Sequence, residues 1–353
     1  VYPGLSRAPS WPTLLASLAY DWSLLLMSIS LSRWSRGALA VAVSAGWAVS
    51  AQAELPTQQQ EQAPGWFRMM VGEYEVTALY DGHTAIDTSL LKGMEQEEIL
   101  RHLDALFIDA ESGMQTAVNA FLIHTGENLV LVDAGSAACF GPSLGQGESN
   151  LRASGYSPED VDTMLMTHLH PDHVCGLANE EGEAVYPNAE LRASQADADF
   201  WLDEERAAAA PEANQPFFTM AQDAVAPYQE ADRFNPFTAG DEVLMGVVAQ
   251  DTHGHTAGHS SFMLNSDDDA MLVWGDVVHS YGVQFADPTV AIEFDSDPEQ
   301  AIRTREEVLE SAVEDKHWVA GAHMPFPGIG HIVKDEEGYR WLPIEFGPVA
   351  TDE

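Results

Sequence analysis

Four side chains that bind metal ions fall within six residues, in the run Thr167-His168-Leu169-His170-Pro171-Asp172-His173. With 13 histidines in 353 residues, an H-x-H-x-D-H run arises by chance in roughly one such chain in a thousand, so it is read as chemistry. His168 and His170, two positions apart, can turn toward one ion. Asp172 and His173 lie further round the loop and can reach a second. Imidazole and carboxylate suit Zn²⁺, with bonds of about 2.0–2.2 Å, and the same donors accept Mn or Co. Two ions need more ligands than one loop supplies, and three further candidates lie downstream. They are His259 in the run Thr252 to Ser260, Asp276 in Trp274-Gly275-Asp276, and His323 in Gly321-Ala322-His323. Asp276 follows an apolar strand and is placed to bridge both ions. Two divalent ions about 3.5–4 Å apart lower the pKa of a water to about 7 and stabilise a developing oxyanion, so no serine or cysteine nucleophile is required. Asp276 and Asp172 are the expected catalytic carboxylates.

The neighbouring residues receive supporting roles. His255 stands four residues before His259 in the same run. His279, three residues after Asp276, is expected to line the substrate pocket, together with Phe140, Trp201 and either Phe217 or Phe218 as aromatic walls. Asp81 and Asp133 each follow a strand, and either can accept the second N–H of a metal-binding histidine or simply shape a turn. Cys175 reads as a small buried residue in the first turn of a helix. His253 and His331 read as loop hydrogen-bonding groups; His83, His102, His124 and His317 read as structural.

The elements that must position these groups follow from pattern. Strands are predicted at 74–80, 118–124, 129–132, 163–167, 243–245, 247–250, 260–264, 271–274 and 318–321. Helices are predicted at 95–106, 194–206, 217–230 and 298–313, with a short one starting at the Ser157-Pro158 pair. A Gly-rich loop spans 135–147. The order strands, helices, strands, helix, strand suits a layered α/β domain covering residues 66–345, followed by an acidic tail at 346–353.

Charge and termini narrow the function further. The chain carries 15 Lys+Arg against 56 Asp+Glu, a formal net charge of −41. Such a surface repels phosphates, which excludes nucleic acid and anionic membranes as partners. It stays hydrated in high salt and reads as a marine or halophilic signature. Two cysteines cannot form a disulfide scaffold. From Met27 the sequence has the layout of a secretory signal peptide: Arg33 and Arg36, a small apolar stretch from Gly37 to Ser50, then Ala51-Gln52-Ala53. Cleavage before Glu54 would leave a Gln-rich flexible leader at 54–65 and place the protein in the periplasm or outside the cell, with no stable membrane anchor. Residues 1–26 then read as an extension upstream of the true start. The alternative, an anchor at Trp11 to Leu31, is interrupted by Pro12 and Asp21.

The succession H-x-H-x-D-H, H-T-x-G-H, G-D and a late His resembles the metallo-β-lactamase superfamily over residues 66–345. Residues 274–297 (WGDVVHSYGVQFADPTVAIEFDSD) and 321–332 (GAHMPFPGIGHI) resemble its methyl parathion hydrolase-like subgroup. The resemblance implies a single-domain, four-layer αβ/βα sandwich with metals at the edge between two sheets. It implies His168, His170 and His259 on one ion, the last His of H-T-x-G-H being the ligand and His255 bracing the site or structural; it implies Asp172, His173 and His323 on the other ion, Asp276 between them, and a bridging hydroxide as nucleophile. The implied substrates are small neutral esters, lactones or phosphotriesters; subgroup members are often homodimers. Many acyl-homoserine lactonases of the superfamily carry a Tyr between the third His and the bridging Asp. Residues 260–275 contain none, which argues against a dedicated enzyme of that kind. Relatives holding iron and oxidising thiols or reducing oxygen form the alternative, separable by metal content.

Overall fold

The computed structural model describes residues 55–60 and 62–349. The expected signal peptide and upstream extension lie outside the described residues. In chain order the strands are β1 (Trp66–Val71), β2 (Tyr74–Ile86), β3 (Leu91–Lys92), β4 (Met114–His124), β5 (Leu129–Val132), β6 (Thr163–Leu165), β7 (Glu190–Arg192), β8 (Glu242–Leu244), β9 (Val247–Asp251), β10 (Ser260–Ser266), β11 (Asp269–Val273), β12 (Ala291–Ile292), β13 (Trp318–Ala320), β14 (Ile329–Lys334) and β15 (Tyr339–Pro343). One sheet runs β1-β2-β4-β5-β6-β7 and a second β15-β14-β13-β11-β10-β9-β8, while β3 and β12 pair separately.

Alternation along the strands builds the layers. In β4, Phe121 and Ile123 point into the core between the sheets, where they meet Phe262, Met271 and Val273 of the second sheet. Ala120 and Leu122 point the other way, against the helix Gln215–Glu230. Both faces are covered, so the strand reads as a continuous apolar run. On the helix, Phe218, Ala221, Val225 and Tyr228 repeat at helical spacing and are all buried. On the far side Leu272, Trp274 and Ile332 pack against Val308, Leu309 and Ala312 of the helix Pro298–Asp315. The result is helix, sheet, sheet, helix. Each large apolar side chain fully buried in it contributes about 1.5–3 kcal/mol.

Helix boundaries follow local chemistry. Pro298–Asp315 starts at Asp297, whose carboxylate accepts the Gln300 N–H, with Pro298 in the first turn. The single helix predicted over 194–206 is two, Gln195–Trp201 and Glu204–Ala209, because Asp203 caps a new start by accepting the Arg206 N–H. The strand predicted to end at residue 80 continues to Ile86 through an irregularity between Tyr80 and Gly82. Among the described residues no helix is long and apolar enough to cross a membrane.

Cys175 is buried, as expected, and is also bonded to Cys139 across a sequence separation of 36. The bond ties the Gly-rich loop to the segment just after His173. Closing a loop of that size restricts the unfolded chain by about 3–4 kcal/mol. The paired change Cys139→Ser with Cys175→Ser is expected to lower the thermal midpoint by about 6 °C, read by calorimetry without reductant.

Candidate functional site

Parallel pairing and equal offsets assemble the site. β11 and β13 run parallel with Val273 opposite Ala320. Asp276 and His323 each stand three residues beyond that pair, so both emerge at the same edge. β6 ends at Leu165, and the loop carrying His168 to His173 leaves from the matching edge of the other sheet. The turn after β9 brings His255.

Two groups of side chains converge there: His168, His170, His255 and Asp276, and Asp172, His173, Asp276 and His323. Asp276 belongs to both. Its Oδ1 lies 3.1 Å from the Nε2 of His173 and of His323. Its Oδ2 lies 3.5 Å from His168 Nε2, 3.3 Å from His255 Nε2 and 3.1 Å from His279 Nε2. Asp172 completes its group, with Oδ2 at 3.4 Å from His323 Nε2 and 3.6 Å from His173 Nε2.

The imidazoles are oriented from behind. His173 Nδ1–H donates to Asp133 Oδ2 at 2.8 Å, His323 Nδ1–H to the Ala117 carbonyl at 2.8 Å, and His255 Nδ1–H to Asp295 Oδ1 at 2.9 Å. This turns each Nε2 toward Asp276, that of His255 also lying 2.9 Å from His170 Nδ1, the arrangement that fixes metal-binding tautomers. Asp133 therefore takes one of the two roles open to it, and also accepts the Thr167 N–H and hydroxyl. Asp81 takes the other kind: its carboxylate accepts the N–H groups of Ser136, Gly145 and Gly147 and shapes the Gly-rich loop. Asp197, which carries no signal in the sequence, accepts the N–H of Leu169 and of Gly258 and the Thr256 hydroxyl. It thus couples the two histidine loops.

One expected position is different. His255, not His259, stands in the cluster. His259 Nε2 accepts the Asp276 backbone N–H at 2.9 Å, and its Nδ1 donates to the Thr252 carbonyl at 3.0 Å. Both ring nitrogens are committed, so His259 holds the Asp276 backbone from beneath. The cause is the turn at 252–259, closed by the Thr252 N–H to the His259 carbonyl. It projects His255 from its tip and returns His259 to the start of β10. Gly275 fits this contact: it has φ +59°, and a Cβ there would come within 2.6 Å of His259 Nε2.

Electrostatics suit a cation. Burial and the neighbouring imidazoles of His173 and His255 hold His168 and His170 well below the usual histidine range, hence neutral. Burial opposes ionisation of Asp276, but the imidazoles of His173, His323 and His168 hold its carboxyl well below the usual carboxylate range. His168 Nε2, His173 Nε2 and Asp276 Oδ1 are buried without a hydrogen-bond partner among the described residues. Unsatisfied donor-type atoms converging on a shared carboxylate fit a pair of divalent ions.

The same groups set a pH dependence. Burial disfavours charge on His255, but hydrogen bonds to Asp276 and Asp295 push its pKa up to about 9, above the ordinary 6.5. His323 is raised by Asp276 in the same sense. Their protonation stabilises the metal-free fold fully below the unfolded value, and that contribution is lost as pH rises through about 9. The metal-free protein is expected to lose thermal stability from about pH 6.5 to 9, a decline that a metal-loaded sample does not share. Metal binding near neutrality is expected to release protons, read by calorimetry in buffers of different ionisation enthalpy.

A cavity of about 570 Å³ opens beside the cluster, with His279 and His323 in its wall and Leu103, Ile108, Met114 and Phe326 among its apolar lining. Trp201 is buried and packs edge-on against His170, with ring centroids 5.1 Å apart. Phe140 and Phe217 face each other at 6.4 Å, 40% and 37% exposed. None of these three lines the cavity. His253 pairs with Asp251 at the surface, and His331 packs on Trp318.

Comparison with known proteins agrees with the fold. The hydrolase AbOPH of the beta lactamase superfamily is 41% identical, with 82% of this chain and 100% of that chain covered and a TM-score of 0.78. AidC, a dizinc quorum-quenching lactonase, shares the fold at 24% identity and TM-score 0.74, with 80% and 99% covered. A probable metal-dependent hydrolase from Staphylococcus aureus does so at 20% identity and TM-score 0.66, with 79% and 100% covered. No curated protein sequence matches the chain. Residues 113–323, which contain every member of both side-chain groups, match the metallo-beta-lactamase superfamily as a whole, and the chain belongs to that superfamily.

Proposed function

We propose that this protein is a dinuclear metal-dependent hydrolase of small neutral ester-like bonds, namely lactones, carboxylic esters or phosphotriesters, in the methyl parathion hydrolase-like branch. The observation that carries the reading is the Asp276 carboxylate, which belongs to both ligand groups. His168, His170 and His255 would hold one ion and Asp172, His173 and His323 the other, most readily zinc. When bound, such a pair supplies a water ionised near neutral pH and positive charge for a developing oxyanion.

The residues of the chain supply orientation and selection. Asp133, Asp295 and the Ala117 carbonyl fix the imidazoles, so little reorganisation accompanies reaction. The cavity beside His279 and His323 takes an apolar arm of the substrate, and Trp201 packs behind His170. A net charge of −41 disfavours anionic substrates. The likeness to AbOPH, a hydrolase, and to AidC, a lactonase, supports hydrolysis over redox chemistry. The Cys139–Cys175 bond supports export to an oxidising compartment, the periplasm or the exterior.

The test is metal content and turnover on one sample. The expected result is two zinc-like ions per chain and hydrolysis of an aryl ester, an aryl phosphotriester or a γ-lactone that stops with a chelator. Iron as the bound metal with no hydrolysis of any of the three would overturn the proposal.

A further inference from the structure

A strand of regular pleat puts residues i and i+3 on opposite faces. β2 departs from this at one point. Tyr80 pairs with Asn119 and Gly82 with Val118, so Asp81 is an extra residue, and His83 then pairs with Ala117. The bulge turns Asp81 away into the Gly-rich loop and lets Tyr80 and His83 share a side, where Tyr80 Oη and His83 Nδ1 lie 3.1 Å apart. Bulges re-aim side chains in this way beside functional sites. Gly82 is what permits it: at φ +142°, a Cβ would come within 2.1 Å of the Ser143 carbonyl.

Both residues line the 570 Å³ cavity that reaches His279 and His323. Their strand partners are tied to the same place. The Ala117 carbonyl, opposite His83, holds His323, and Asn119, opposite Tyr80, donates to the carbonyls of Gly321, Ala322 and Met324. The Tyr80 ring is set by an edge contact with Phe326 at 5.5 Å. Only one hydrogen bond joins the pair. Either the tyrosine oxygen keeps a free lone pair or its hydroxyl proton remains available, according to the histidine tautomer.

We infer that Tyr80 and His83 form a recognition pair for a polar substituent, such as an amide, on the apolar arm of a lactone or ester substrate. The inference rests on the hydrolase reading for its substrate class. A site built around a hydrogen bond discriminates against analogues lacking the group.

The probes are a γ-butyrolactone bearing an α-acylamino chain and its α-alkyl analogue of equal length, with the matching non-hydrolysable lactams as binding ligands. Tyr80→Phe keeps the ring and its packing while removing the hydroxyl. It is expected to reduce the preference for the amide lactone, in kcat/KM and through KM, by about tenfold, and His83→Phe to do the same. The amide lactam should lose affinity by a similar factor in calorimetry, with metal content and thermal midpoint unchanged. Equal losses for both probes, or no loss, would overturn the recognition pair. Absence of turnover in the wild type, combined with a Tyr80-dependent preference among the lactams, would instead defeat the hydrolase reading and leave the pair standing.

Discussion

Asp276→Ala is expected to lose both metal ions and to reduce turnover ~10³-fold or more, since ligand loss should exceed the 10–100-fold typical of outer hydrogen-bond partners. Five imidazole nitrogens lie within 3.5 Å of this one carboxylate. Removing it leaves a buried cluster of cation-seeking groups with no shared anion. The near-isosteric Asp276→Asn separates charge from shape: it keeps the volume and one acceptor oxygen but cannot compensate two cations. Metal analysis of both variants after dialysis checks the expectation. Full occupancy in Asp276→Asn with full activity would show that the carboxylate does not bridge.

His255 and His259 give the second large effect, as a contrast. His255→Ala is expected to empty the ion site shared with His168 and His170 and to cut kcat/KM by ~10²–10³-fold. His259→Gln is expected to keep two ions. A glutamine carbonyl can accept the Asp276 N–H that His259 Nε2 now accepts, so the loss there should stay within ~10-fold. Stoichiometry by elemental analysis decides. One ion in His259→Gln and two in His255→Ala would reverse the assignment.

The contrast also marks how far spacing can be read. H-x-H-x-D-H and the G-D after an apolar strand are local: each sits where a strand ends, and the type and order of residues suffice to find them. The same holds for the strands 129–132 and 271–274 and the helix 298–313, whose burial patterns are written in their own periodicity. H-T-A-G-H contains two equivalent imidazoles four residues apart, and nothing local ranks them. Which one faces the cluster depends on a turn closed by Thr252 and on the backbone of Asp276, 17 residues away. Asp197 and Asp295 were illegible for the same reason. Each is one carboxylate among many in an acidic chain, and its partners come from segments brought close only by folding.

By itself, the sequence determined the run at 168–173, the carboxylate at 276 and the late histidine at 323, the layered α/β class and the edge at which strands deliver these residues, because these rest on residue type, periodicity and order. The tertiary structure alone decided which histidine of a pair faces the cluster, which aspartates orient the imidazoles, that Cys139 meets Cys175, and that a one-residue bulge turns Tyr80 and His83 into the same cavity. Those are facts of register and approach between segments far apart in the chain, and a shift of one residue across a pleat reverses the side chain it presents.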